Sequence, residues 1–95
     1  MQKITYDLAK STSNFLKHGL HLADAVRFDF GAAVYYTVDA SVHGKSRVKA
    51  LGLLDGAVHA FIFTMREDGI RAISLRRANR SERRRHEKEK AQPKG

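Results

Sequence analysis

Two Asp-Gly pairs, each eight residues in from one end of a continuous β-rich run, constrain this chain more than anything else in it. The run is "RVKALGLLDGAVHAFIFTMREDGIRAISLRR", residues 47–77. Asp-Gly is the favoured pair for a tight hairpin turn whose central residues need positive φ. The separators "LDG" (54–56) and "EDG" (67–69) therefore predict three strands, about Ser46–Leu53, Ala57–Arg66 and Ile70–Arg76, joined as an antiparallel meander.

The flanking segments supply helices and two more strands. "KITY" is a short alternating run, a plausible first strand. Asp7 can cap a helix over about Leu8–His18, with Leu8 and Phe15, and also Ala9 and Thr12, on its apolar side. Gly19 suits the C-terminal cap, and Lys17 and His18 suit the negative end of the dipole. "HLADAVRFDFG" predicts a second helical piece carrying Leu22, Ala25, Val26 and Phe28 or Phe30, closed by Gly31. "AVYYTVD" is a β run rich in Val, Tyr and Thr, and "ASVHGKS" a turn or loop. Asn79 with Glu82 predicts a capping box at the start of a last helix, about Arg80 to Lys90, with Arg83–Glu87 and Arg85–Glu89 as i,i+4 pairs. The order β-α-α-β-β-β-β-α gives a small α+β domain over residues 1–90: an antiparallel sheet, two N-terminal helices and one C-terminal helix. Residues 91–95 are expected to be a disordered tail.

Composition matters through charge. The 95 residues carry a net charge of +8, and it is uneven. Residues 1–60 hold seven basic and five acidic residues, whereas residues 61–95 hold eleven and five. Six arginines fall between Arg76 and Arg85 against one acid, Glu82. Such asymmetry implies a polyanionic or acidic partner. Arg77 and Arg80 stand at the positive end of the last helix, where a cation is disfavoured unless an anion joins it. If Asp68-Gly69 forms the second turn, Arg66 faces Arg71 across the strands. Directly opposed like charges are unfavourable, so a phosphate or an acidic partner is expected between them. A plain solvated helix is the competing account of the C-terminal run.

Absences narrow the chemistry. There is no cysteine, so no disulfide framework and no thiolate metal site. No apolar stretch approaches the roughly 18 residues of a membrane span, and no signal-peptide pattern opens the chain, so a cytoplasmic location is expected. HExxH, GxSxG, P-loop and paired-carboxylate motifs are missing, the acids Asp24, Asp29 and Asp39 form no recognisable Mg²⁺ cluster, and no cofactor or metal is expected. Abundant arginine still permits one reaction class. RNA carries its own nucleophile, the 2′-OH; a site that aligns it and neutralises the phosphorane needs little more than cations and a proton carrier.

Three segments, in order and at matching spacings, resemble the BrnT family of toxins. The first is "YDLAKSTSNFLKHGLHLADA", through Tyr6, Asp7, Lys10, Asn14, Lys17, His18, Gly19, Leu20 and Ala25. The second is Arg47 with Gly52. The third is "RAISLRRANRSERRRHE", through Arg71, Ile73, Ser74, Arg76, Arg77, Ala78 and Glu82. Departures are Tyr6 where Trp is usual, Leu8 where Pro is common, Ser46 where Glu is usual and His86 where Tyr is usual. The resemblance covers about residues 4–87. It implies a RelE-like fold and a metal-independent endoribonuclease that arrests translation. It also implies a BrnA-like antitoxin with a ribbon-helix-helix part, through which alone the toxin meets DNA. On this reading Arg47, Arg66, Arg71 and Arg76 bind and neutralise phosphate, and His18 is the acid or base, with His86 second. Lys17, Arg77, Arg80, Arg83 and Arg84 grip the RNA backbone. An antitoxin that is acidic would cover the same arginines. The alternatives are a non-catalytic nucleic-acid-binding module and a partner-binding protein without activity.

Overall fold

The computed structural model describes residues 3–38 and 47–91. The elements are β1 (Lys3–Thr5), α1 (Leu8–His18), a 3-10 helix (Leu22–Arg27), β2 (Val34–Val38), β3 (Arg47–Leu54), β4 (Ala57–Arg66), β5 (Gly69–Arg77) and α2 (Arg80–Ala91). Ser46, the expected start of β3, lies outside the described residues, as do residues 92–95 of the expected tail. Ala91 belongs to α2.

The three central strands form the expected meander. In the first hairpin Leu54 pairs with Ala57, and Asp55 and Gly56 take φ of 50° and 83°. Both central residues thus have the positive φ that a type I′ turn needs. The whole sheet, however, is mixed rather than antiparallel. Its order is β1-β5-β4-β3-β2, and β1 runs parallel to β5 through Lys3↔Gly69, Ile4↔Ile70 and Thr5↔Arg71. The reason is local. Asp7 starts a helix two residues after β1, so β1 has no hairpin partner and pairs with the far end of the chain instead. Gly69 makes room for it: a Cβ there would collide with the Lys3 carbonyl.

One face of the sheet carries the core. Phe61, Phe63, Ala50, Leu54, Ile70, Ala72 and Leu75 pack against Leu22, Ala25 and Phe28 of the 3-10 segment. Gly52 admits the Phe28 ring, which a Cβ would meet at 2.8 Å. The second helical piece is therefore a 3-10 helix that ends at Arg27, before Gly31. Leu22 and Ala25 are buried three residues apart, which suits the three-residue turn, while Val26 points outward.

Helix α1 reverses the expected amphipathic sense. Leu8, Leu16 and Phe15 are exposed, and the buried residues are Ser11 and Asn14. β1 covers only residues 69–71 of β5, so the edge beyond it has backbone groups to satisfy. Asn14 does so. Its amide oxygen accepts the Leu75 N–H at 3.1 Å, and its amide nitrogen donates to the carbonyls of Leu75 and Leu20, each at 2.7 Å. Ser11 Oγ accepts the Leu22 N–H at 3.0 Å. Polar side chains thus seat α1 as a substitute for the missing length of edge strand. Its caps are as expected, with Asp7 accepting from Lys10 N–H and Gly19 at φ 75°.

On the opposite sheet face α2 docks through Glu82 and His86, both buried. The capping box closes reciprocally: Asn79 Oδ1 accepts the Glu82 N–H at 2.8 Å, and Glu82 Oε1 accepts the Asn79 N–H at 2.9 Å. Among the described residues no element covers the rest of that face, and there the cationic side chains gather.

Candidate functional site

Four cations line one shallow depression of about 470 Å³: Lys10 from α1, Arg47 from β3, Arg66 from β4 and Arg71 from β5, with Thr64, Ala72 and Ile73 completing it. Among the described residues no carboxylate contributes to its wall. Among the described residues none of the four is in an ion pair. Converging positive charge without internal compensation favours an anionic ligand, and several unit charges around one depression focus that field.

The sheet register explains the convergence. The second turn is Glu67-Asp68, so Arg66 pairs with Gly69 and Arg71 pairs with Thr64. The expected direct opposition of Arg66 and Arg71 is corrected by this slip. Gly69 is taken up by its contact with β1 and is not available as a turn residue. Arg66 lies two residues beyond Thr64 on the same strand, hence on the same face as Arg71, as a diagonal neighbour. Val48 pairs with Phe63, and continuing that register brings Arg47 beside Thr64 from the other flank. A bulge then resets β5. Ile62 pairs with Ser74 while Phe63 pairs with Ala72, leaving Ile73 as the extra residue. Ala72 and Leu75 can both face the core only because of it, and Arg71 and Ser74 both face away.

The depression continues along α1. Lys10, Ser13, Asn14, Lys17, His18, Ile73 and Ser74 line an adjoining hollow of about 230 Å³ that shares Lys10 and Ile73 with the first. His18 stands eight residues from Lys10, roughly 12 Å along the helix axis. His18 and the arginine cluster are therefore two ends of one groove, with Lys17 beside His18.

Arg76 goes elsewhere. Its guanidinium forks onto Glu82 at 2.6 and 2.9 Å, and Lys49 reaches the same carboxylate at 2.9 Å. Hydrogen bonds from Arg76, from the Asn79 N–H and from Lys49 hold the Glu82 carboxyl at about 2, against the opposing effect of burial. The hydrogen bond to Glu82, with its charge, raises the pKa of Arg76 against the effect of burial. Arg76 thus anchors α2 on the sheet, five residues along β5 from Arg71 and outside the groove.

The remaining arginines divide. Arg77, Arg80 and Arg84 are exposed. Arg83 donates to the Ala78 carbonyl at 2.9 Å, and Arg85 stacks on the Tyr36 ring at 4.0 Å. The expected Arg83–Glu87 and Arg85–Glu89 pairs do not close among the described residues. His86 is buried against Val58, and burial, with Lys90 nearby, lowers its pKa. Val58 is six residues from Thr64 on β4, roughly 20 Å, so His86 is remote from the groove.

The sequence reading put Arg47, Arg66, Arg71 and Arg76 into one phosphate-binding set; the structure brings the first three together and sets Arg76 apart on Glu82. It missed Lys10 and Thr64 as lining residues. Lys10 had a signal, its place one helical turn before Asn14. Thr64 had none, being one β-branched residue in a buried strand.

Among the described residues no group of three or more His, Asp or Glu side chains gathers at metal-binding distance, and no helix is long and apolar enough to cross a membrane. A search of curated proteins finds no match. A family model does match, over residues 6–82, and its description is "Ribonuclease toxin, BrnT, of type II toxin-antitoxin system". With its α+β fold and its cationic groove already in view, the chain belongs to the BrnT family of ribonuclease toxins of type II toxin–antitoxin systems.

Proposed function

We propose that the chain is a metal-independent, RelE-like endoribonuclease whose site is the groove running from Arg66 to His18. The observation that carries this reading is the convergence of Arg47, Arg66, Arg71 and Lys10 on a depression to which, among the described residues, no carboxylate contributes. The substrate's 2′-hydroxyl gives up its proton as its oxygen attacks the adjacent phosphorus, the P–O5′ bond breaks and the 5′-oxygen takes up a proton, giving a 2′,3′-cyclic phosphate and a 5′-hydroxyl end. Negative charge grows on the non-bridging oxygens in the transition state. Guanidinium groups gathered around that position stabilise it. His18, roughly 12 Å along α1 from Lys10, stands at the far end of the groove from the arginines; there it and Lys17 hold a neighbouring phosphate of a strand laid along α1, and the proton passes from the 2′-hydroxyl to the 5′-oxygen through water at the arginine cluster. Exposed Arg77, Arg80 and Arg84 extend the grip on RNA, while Arg76 and Arg83 are committed to holding α2.

Membership of a type II system implies a protein antitoxin. A BrnA-like partner with a ribbon-helix-helix part, acting in the cytoplasm, fits if its acidic segment covers the same arginines. Inhibition and cleavage then share residues, cleavage of RNA arrests translation, and DNA is met only through the antitoxin. The alternative is a non-catalytic nucleic-acid-binding module, favoured by the exposed arginines at the start of α2.

Incubation of the purified protein with end-labelled RNA in EDTA tests the reading. Discrete fragments are expected. Intact RNA that only shifts on a native gel, alone and with ribosomes, favours the binding module.

A further inference from the structure

We propose that the hydroxyl of Thr64 is a substrate ligand, donating a hydrogen bond to the phosphate held by Arg47, Arg66 and Arg71. This rests on the reading of the groove as an RNA site and adds a residue to it. Thr64 occupies the floor of the depression. Arg71 is its cross-strand partner, Arg47 flanks it from β3, and Arg66 is the next residue of β4 on the same face. Among the described groove residues it is therefore the one with an arginine on each of three sides.

Its burial is the second observation. Thr64 is only 7% exposed, yet its hydroxyl makes no hydrogen bond among the described residues. Thr5 and Thr12, by contrast, each donate to a backbone carbonyl. Nor is the Thr64 oxygen sealed in the interior, where Tyr36 Oη is the buried polar atom without a partner among the described residues. A hydroxyl at a strand position that Val would fill equally well, open to the depression and unbonded among the described residues, is free to exchange water for a phosphate oxygen. The hydroxyl also supplies what arginines lack. Arginine side chains are long and adapt; a β-branched side chain in a strand is restricted about χ1. A short, fixed donor at the floor sets the depth and rotation of the phosphate, and in-line attack is sensitive to both.

Binding and cleavage separate this claim from the ribonuclease reading. The binding probe is a single-stranded all-2′-deoxy oligonucleotide, which lacks the attacking hydroxyl; the cleavage probe is the same sequence as RNA in EDTA. Thr64→Val is expected to weaken binding of the deoxy strand by about tenfold, the worth of one hydrogen bond to a charged group, and to slow RNA cleavage by at least as much. Thr64→Ser, which keeps the hydroxyl, is expected to restore most of both. Thr64→Ala serves as the hydroxyl-free variant if Thr64→Val does not fold. Wild-type behaviour of the hydroxyl-free variant overturns the proposal, as does a Thr64→Ser protein as weak as Thr64→Val. If the wild type binds the deoxy strand but leaves RNA intact, the ribonuclease reading fails and the Thr64 contact is still decided by the binding series. If the wild type binds neither strand, both fail.

Discussion

Arg71 and Arg76 stand five residues apart on β5, match the same family segment and serve different ends. Arg71 reaches the groove without an ion pair among the described residues, whereas Arg76 is clamped to Glu82. Sequence alone could not divide them, because each is an arginine in a β run. The division depends on the Ile73 bulge and on where α2 lands, which are tertiary facts. Arg76→Ala is expected to destabilise the fold by about 1–3 kcal/mol, with Lys49 and the Asn79 N–H still holding Glu82, and to leave cleavage per folded molecule near wild type. Urea unfolding beside activity corrected for folded fraction checks this. Asn14→Ala strips partners from the Leu75 N–H and from two carbonyls at once, and is expected to cost about 2–4 kcal/mol in the same unfolding measurement. Asn14 belonged to the family pattern, but nothing in the sequence revealed that it finishes a sheet edge.

At the scale of elements, the turns and caps were legible and the packing faces were not. Asp7, Gly19, the Asp55-Gly56 turn and the Asn79–Glu82 box do in the structure what their chemistry suggests in the sequence. These signals act within a few residues, so distant contacts seldom override them. The second Asp-Gly failed as a turn because β1, more than sixty residues away, claims Gly69. The apolar side of α1 failed because the sheet edge needed polar partners more than the core needed Leu8 or Phe15. Helix α2 has its own prediction. The Glu82 carboxyl is held at about 2, below its ordinary 4.5, so between these values the unfolded chain binds more protons than the folded one. Stability contributed by Glu82 is therefore complete above about pH 4.5 and lost as pH falls toward 2, by at most about 3 kcal/mol. His86 is also lowered, so its neutral form favours the fold, and protonation begins to destabilise α2 docking as pH drops below its ordinary 6.5. Unfolding midpoints of wild type, Glu82→Gln and His86→Gln across pH 3–8 separate the two. Loss of the low-pH slope in Glu82→Gln is expected; an unchanged slope removes Glu82 from the account.

For the whole molecule, the sequence supplied the α+β class, the basic asymmetry and the family resemblance, while the mixed sheet and the location of the charge came from the structure. The densest arginine run lies at residues 76–85, yet the depression is built from residues 10, 47, 66 and 71. Charge density along a chain marks a partner class; only the fold brings charges from four elements to one point. If RNA binds there, log affinity should fall linearly with log salt, by about 0.7 for each phosphate contact to a single strand. Arg71→Ala should flatten that slope by about one contact, read by filter binding at several salt concentrations; an unaltered slope moves RNA off the groove.

The central claim is that the groove cluster, and not the Arg76–Glu82 clamp, performs the cleavage. Single-turnover cleavage of RNA in EDTA, at matched concentrations of folded protein, compares wild type with the Arg66→Ala/Arg71→Ala double variant and with Arg76→Ala. The account predicts a loss of at least about a hundredfold for the double variant, as for removal of transition-state hydrogen-bond donors, and a rate near wild type for Arg76→Ala. A double variant that cleaves like wild type, or a folded Arg76→Ala protein that does not cleave, contradicts it.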